Sequence, residues 1–98
     1  MVETKGMRQV RLVVSGKVQG VFYRKFTRQM AMSLNVSGYV QNQKDGSVFV
    51  KACGAADQIQ KLIDWCSKGP AAAIISKIDI EELPVTNEFF TFEVRRSE

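Results

Sequence analysis

Apolar residues in this chain switch between two spacings, and the order of the switches leaves few folds open. Arg8 to Ser15 alternates, with Val10, Leu12 and Val14 on one face and Gln9, Arg11 and Val13 on the other, the period-two pattern of a strand. Tyr23 to Leu34 takes helical spacing. Phe22, Phe26, Met30 and Leu34 recur every fourth residue, joined by Ala31, and this stripe is expected to pack into the core. Asn35 is suited to close the helix in a left-handed conformation. Val36 to Asn42 alternates again, and Gln43-Lys44-Asp45-Gly46 supplies a tight turn with a hairpin signal. Ser47 to Gly54 returns as a third strand. Ala55 to Lys68 obeys the i, i+3, i+4, i+7 rule through Ile59, Leu62, Ile63 and Cys66, until Gly69-Pro70 stops it. Ile74 to Glu82 reads as a fourth strand with Ile74, Ile78 and Ile80 in phase. Phe89 to Arg95 reads as a last short strand with Phe90, Phe92 and Val94 in phase.

The order is β-α-β-β-α-β plus a terminal strand. An α+β, ferredoxin-like split β-α-β sandwich satisfies it with short connections and right-handed crossovers, both helices lying on one face of a mainly antiparallel sheet. The first two strands are joined through a helix, so they run the same way and end at the same edge. The segment leaving the first strand therefore meets the residues that end the second.

That segment is Ser15-Gly16-Lys17-Val18-Gln19-Gly20-Val21-Phe22-Tyr23-Arg24, with two glycines and no acid. Glycine lets successive backbone N–H groups curl toward one hollow. The helix start behind it adds unpaired N–H groups and a positive dipole end. Arg24 adds a planar fork that fits two oxygens of one anion. The stretch reads as a phosphate cradle, with a plain glycine turn as the alternative. Asn42 ends the second strand, so topology can bring it beside Arg24; the alternative is a residue that merely starts the turn.

Composition narrows the chemistry. The 98 residues suffice for one domain, read as 1–98 with 1–7 a flexible arm. Lys+Arg 14 against Asp+Glu 10 gives +4, a mild preference for anionic partners. Histidine is absent, which removes histidine bases, histidine metal ligands and phosphohistidine. Cys53 and Cys66 form no C-x-x-C pair and are expected to be reduced, buried thiols. No signal peptide or membrane-spanning run is evident, so a cytoplasmic protein without membrane partners is expected, working as a monomer. No cysteine lies in the cradle and the acids are scattered, so neither a thiolate phosphatase nor a two-metal hydrolase is supported. Positioning and electrostatics remain, and these suffice for phosphoryl transfer when the leaving group is already good. A carboxylate qualifies, so an enzyme built this way suits mixed anhydrides of carboxylic and phosphoric acids.

Gly16-x-Val18-Gln19-Gly20-Val21-x-x-Arg24, then Gly38-Tyr39-Val40-x-Asn42, Asp45-Gly46-x-Val48 and Gly69-Pro70 together resemble the acylphosphatase family over nearly the whole chain. The resemblance implies a ferredoxin-like fold and hydrolysis of acyl phosphates to carboxylate and orthophosphate, with no metal or other cofactor. It places the phosphate-binding arginine on Arg24 and the water-orienting asparagine on Asn42. The phosphate loop falls on Lys17, Val18, Gln19, Gly20, Val21 and Phe22, acting through backbone N–H. Ser47 matches a hydroxyl position after the turn, a secondary helper. Two departures are visible: Tyr23 replaces a phenylalanine, and Asn35 replaces the glycine that usually ends the first helix. Related domains open a longer hydrogenase-maturation carbamoyltransferase, but a stand-alone enzyme fits this chain better. Two other classes stay open. An RNA-binding module on the same fold would match Gly46, Phe49 and Val50, but its aromatic places fall on Ser47 and Ala52, so nucleic acid is not the expected partner. The second is a non-catalytic anion sensor.

Overall fold

The computed structural model describes residues 6–96. It contains β1 (Met7–Lys17), α1 (Tyr23–Ser33), β2 (Ser37–Asn42), β3 (Val48–Ala55), α2 (Ala56–Lys68), β4 (Ile74–Leu83) and β5 (Phe92–Arg95). The strands form one sheet in the order β4-β1-β3-β2-β5. β3 runs antiparallel between β1 and β2, which fixes those two as parallel to each other. β5 lies parallel to β2 at the outer edge. This is the ferredoxin-like layout expected from the order of periodicities. Of the arm expected over 1–7, residues 1–5 lie outside the described residues, and Met7 already belongs to β1.

The core lies between the sheet and the two helices. Val10, Leu12 and Val14 of β1 meet Val48, Val50 and Ala52 of β3 and Val40 of β2, with Ile59, Leu62, Ile63 and Cys66 of α2 above them. These are the alternating and helical positions read from the sequence. Cys53 and Cys66 are both buried free thiols, and burial pushes the Cys66 thiol up to about 12.

Three expectations about packing need correction. On α1 the buried residues are Tyr23, Thr27 and Ala31. Met30 and Leu34 are only partly buried, and Phe22 and Phe26 are 70% and 39% exposed. The true stripe is rotated by one residue from the Phe/Met series. It can include polar residues because each hydroxyl is satisfied: Tyr23 Oη donates to the Cys66 carbonyl at 2.6 Å, and Thr27 Oγ1 donates to the Tyr23 carbonyl at 2.7 Å. On β4 the pairing register shifts between Ser15 and Gly16, which oppose Lys77 and Ile75. The extra residue turns Ile75, not Ile74, onto the core with Ile78, leaving Ile74 65% exposed. Gly16 permits the bulge, since a Cβ there would stand 2.1 Å from the Ile74 carbonyl oxygen. At the C-terminus, regular pairing begins only at Phe92. Phe92 is buried, whereas Phe90 is almost wholly exposed. Residues 86–89 instead cross the helix-free face: the Thr86 N–H donates to Gln9 Oε1 at 3.0 Å, and Phe89 packs edge-on against Tyr39.

Asn35 does take the left-handed conformation after α1, at φ 58°. Gly38 lies at φ +140° inside β2, where a Cβ would fall 1.8 Å from the Lys51 carbonyl oxygen. The obstacle is backbone of the central strand, which cannot step aside. Gly38→Ala is expected to destabilise the fold by about 3 kcal/mol or more, read as a lowered urea midpoint. A midpoint within error of the wild type would refute this account of the β2–β3 contact.

Candidate active site

At the edge where β1 and β2 both end, a cleft of about 570 Å³ opens beside the start of α1. The chain reaches it through a sharp loop. Gly20 has φ 76°, and Phe22 precedes α1 at φ 61° and ψ 25°, a left-handed position occupied here by a bulky residue. No side chain caps α1, and its first turn holds no acid. Among the described residues, the N–H groups of Gln19, Gly20, Val21 and Phe22 take part in no hydrogen bond. A helix start that leaves its donors and those of the preceding loop unpaired is suited to an anion.

Arg24 and Asn42 both line this cleft, together with Val18, Gly20 and Phe22 of the loop. Arg24 Nη1 donates to the Arg95 carbonyl at 2.8 Å, which fixes one arm of the fork against the end of β5 and leaves the rest for a ligand. Asn42 shares the phase of Val40 on β2. Its Oδ1 is buried and has no hydrogen-bond partner, a placement that costs about 1–3 kcal/mol. A half-turn of the carboxamide exchanges oxygen and nitrogen without changing its shape, so the oxygen can be turned toward a partner.

Other expected site residues hold different places. Val18 is fully buried and Val21 nearly so, which anchors the loop; Val18 lines the cleft, whereas Val21 is not part of its wall. Lys17 is exposed, pairs with Ile74 at the end of β1, and is not part of the cleft wall. Gln19 contributes a side chain as well as a loop position. Its Nε2 donates to the Gln43 and Ser47 carbonyls, at 2.9 Å each, and so ties the loop to the β2–β3 turn. Ser47 stands outside the cleft wall. Its hydroxyl donates to Asp45 Oδ1 at 2.6 Å and lies 2.8 Å from the Gln43 side chain. That hydroxyl therefore shapes the turn, and together with the Ser47 N–H it holds the Asp45 carboxyl below the usual carboxylate range.

The cleft also contains cations that helical spacing puts on the polar face of α1 without assigning them a role. Lys25 and Arg28 line it beside Arg24, with Gln29 near them, and no carboxylate is among the lining residues. Arg28 Nε donates to the Phe92 carbonyl at 3.2 Å, again leaving donors free. The i, i+4 spacing of Arg24 and Arg28 is the available sequence signal, since it puts both on one helix face. Three cations, open N–H groups and no acid make the hollow strongly attractive to a multiply charged anion. Among the described residues, no group of three or more Asp, Glu, Cys or His side chains is placed to hold a metal ion. Tyr23, one residue before Arg24, is held at the base of the site. Its ring packs 5.6 Å from that of Trp65, and burial pushes its hydroxyl well above the usual tyrosine range.

Comparison with known proteins identifies the family. The family model described as Acylphosphatase matches residues 10–94. An acylphosphatase of Acaryochloris marina is 47% identical over 87 residues, covering 89% of this chain and 92% of that protein. One of Shewanella amazonensis is 42% identical over 91 residues, covering 93% of this chain and all of that protein. The structure of an acylphosphatase from Coxiella burnetii superposes with a TM-score of 0.87 at 38% identity, over 97% of this chain and 100% of that one. With a family model spanning nearly every element from β1 to β5, and relatives this similar along their whole length, the chain belongs to the acylphosphatase family.

Proposed function

We propose that this protein is a metal-independent acylphosphatase in which the loop and Arg24 hold the phosphoryl group while Asn42 directs the attacking water. The observation that carries the reading is the convergence of Arg24, Asn42 and unpaired loop N–H groups on one cleft. The phosphoryl oxygens accept from the backbone N–H groups of residues 19–22 and from the free donors of Arg24. These donors stabilise charge as it redistributes over the three oxygens. The Asn42 oxygen, turned into the cleft, accepts from a water and sets it in line with the bond to be cut. The P–O bond to the acyl oxygen breaks as the water oxygen bonds to phosphorus. The electron pair leaves on the carboxylate and the water proton passes to solvent or to the phosphate, giving one carboxylate and one orthophosphate. The carboxylate leaves without help from an acid, so the want of histidine or a nearby carboxyl in the cleft is no obstacle.

The helix-free face offers the RNA-binding reading its best surface, since Tyr39, Phe49 and Phe89 cluster there at about 5.8 Å. Yet Arg11, Lys51 and Arg95 on that face are each paired with an acid, Glu81, Glu88 and Glu93 respectively. A face so neutralised gives little attraction to a nucleic-acid backbone, and a small acyl phosphate remains the proposed partner. No helix among the described residues is long and apolar enough to cross a membrane, and the proposed form is a cytoplasmic monomer acting alone. The decisive assay measures orthophosphate release from acetyl phosphate with excess chelator present. Full turnover is expected under chelation; activity that appears only on adding a divalent cation would overturn the proposal.

A further inference from the structure

Beside the cleft, on the far side of Phe22, lies a second hollow of about 430 Å³. Its walls are Val21, Phe22, Phe26, Trp65 and residues 70–72, Pro-Ala-Ala, with no charged side chain among them. Phe22 lines both hollows. Resting on the acylphosphatase reading of the cleft, we infer that this groove receives the acyl group of the substrate, and that the preferred substrates are acyl phosphates with an extended apolar chain of several carbons.

Three independent features point there. The first is covalent reach: Phe22 lines both the cleft and the groove, so a chain attached to phosphorus through one oxygen and one carbonyl carbon has a single side chain to pass before it meets the groove. The second is the conformation of Phe22. Among the described residues, the other non-glycine positions at positive φ are Asn35 and Asn87, the residue type that tolerates it. Phe22 accepts the same backbone strain while its ring stays 70% exposed, so core packing does not explain a phenyl group at that point. Strain held at the rim of a site, on a side chain left in water, is the pattern of a ligand contact. The third is chemical contrast. The cleft wall is mixed, with Arg24, Lys25, Arg28, Gln29 and Asn42 beside Val18 and Val94, whereas the groove offers an alkyl chain continuous apolar wall with no cation to keep hydrated. Lys25 Nζ lies 5.8 Å and 6.0 Å from the Phe22 and Phe26 ring centroids, which ties these two rings to the cationic rim of the cleft.

The test compares acetyl phosphate with octanoyl phosphate. The wild-type protein is expected to show a kcat/KM at least about tenfold higher for the octanoyl substrate. Ala72→Glu, at an exposed position of the groove wall outside the phosphate-binding machinery, is expected to lower that ratio at least about fivefold while acetyl phosphate turnover is unchanged. A second readout does not depend on turnover: octylphosphonate should bind the wild type at least about tenfold more tightly than methylphosphonate, and Ala72→Glu should shrink that gap. Equal kcat/KM for the two acyl phosphates, equal phosphonate affinities, or ratios untouched by Ala72→Glu would each overturn the groove assignment. Failure to turn over either acyl phosphate, with the phosphonate preference intact, would instead strike the reading of the cleft as catalytic and leave the groove standing.

Discussion

Replacing Arg24 with alanine abolishes turnover, a fall of roughly 10³-fold or more, and raises the inhibition constant of inorganic phosphate. The expectation rests on where the guanidinium stands. One arm is fixed by the Arg95 carbonyl, so the remaining donors enter the cleft already oriented, and little rotamer freedom is lost when the substrate arrives. Alanine removes both the charge and the fork. Arg24→Lys restores charge without the planar pair of donors, and should recover phosphate binding better than it recovers rate. The side chain is not part of the core, so the urea midpoint of Arg24→Ala should stay close to that of the wild type. Rate measurements on acetyl phosphate, with phosphate as competitor, decide the matter; a variant within about tenfold of the parent would remove Arg24 from the mechanism.

Asn42→Ala is the second large effect, and it should separate binding from chemistry. Turnover is expected to drop by roughly 10²-fold or more, the scale of losing one well-placed polar group, while phosphate still competes with near-normal strength because loop and guanidinium remain. The change also deletes a buried oxygen that has no partner, so stability should hold or rise. Lost rate without lost stability or phosphate affinity is the signature of a group that handles water. Near-normal turnover in this variant would show that the solvent molecule is placed by something else.

Much of this geometry is legible in the sequence, for a physical reason. Arg24 and Asn42 are far apart along the chain, but the order of strand and helix periods fixes which strand ends share an edge, and that alone brings them to one hollow. Burial is harder to read. Phe22 and Phe26 form a better apolar series than Tyr23 and Thr27, yet the polar pair lies inside because the carbonyls of Cys66 and Tyr23 are there to meet their hydroxyls. No local pattern reveals a bond partner supplied by another helix. Ile74 departs from its expected place for a different reason: one bulged residue reverses the phase of everything beyond it. Gln19, Lys25 and Arg28 have side-chain roles that no motif announces. Those roles depend on which carbonyls and which cleft wall the fold sets beside them.

The Gln19 clasp has a consequence for how the site fails. Its amide joins two connections that the sheet itself leaves independent, one leaving β1 and one leaving β2. When thermal motion peels the hairpin tip from the sheet, those two bonds are strained together, and the anion seat must move with it or let go. On the proposed mechanism, catalytic competence is thus tethered to the outermost corner of the hairpin, so on warming, phosphate release from acetyl phosphate should fail at a lower temperature than the circular-dichroism signal of the sheet.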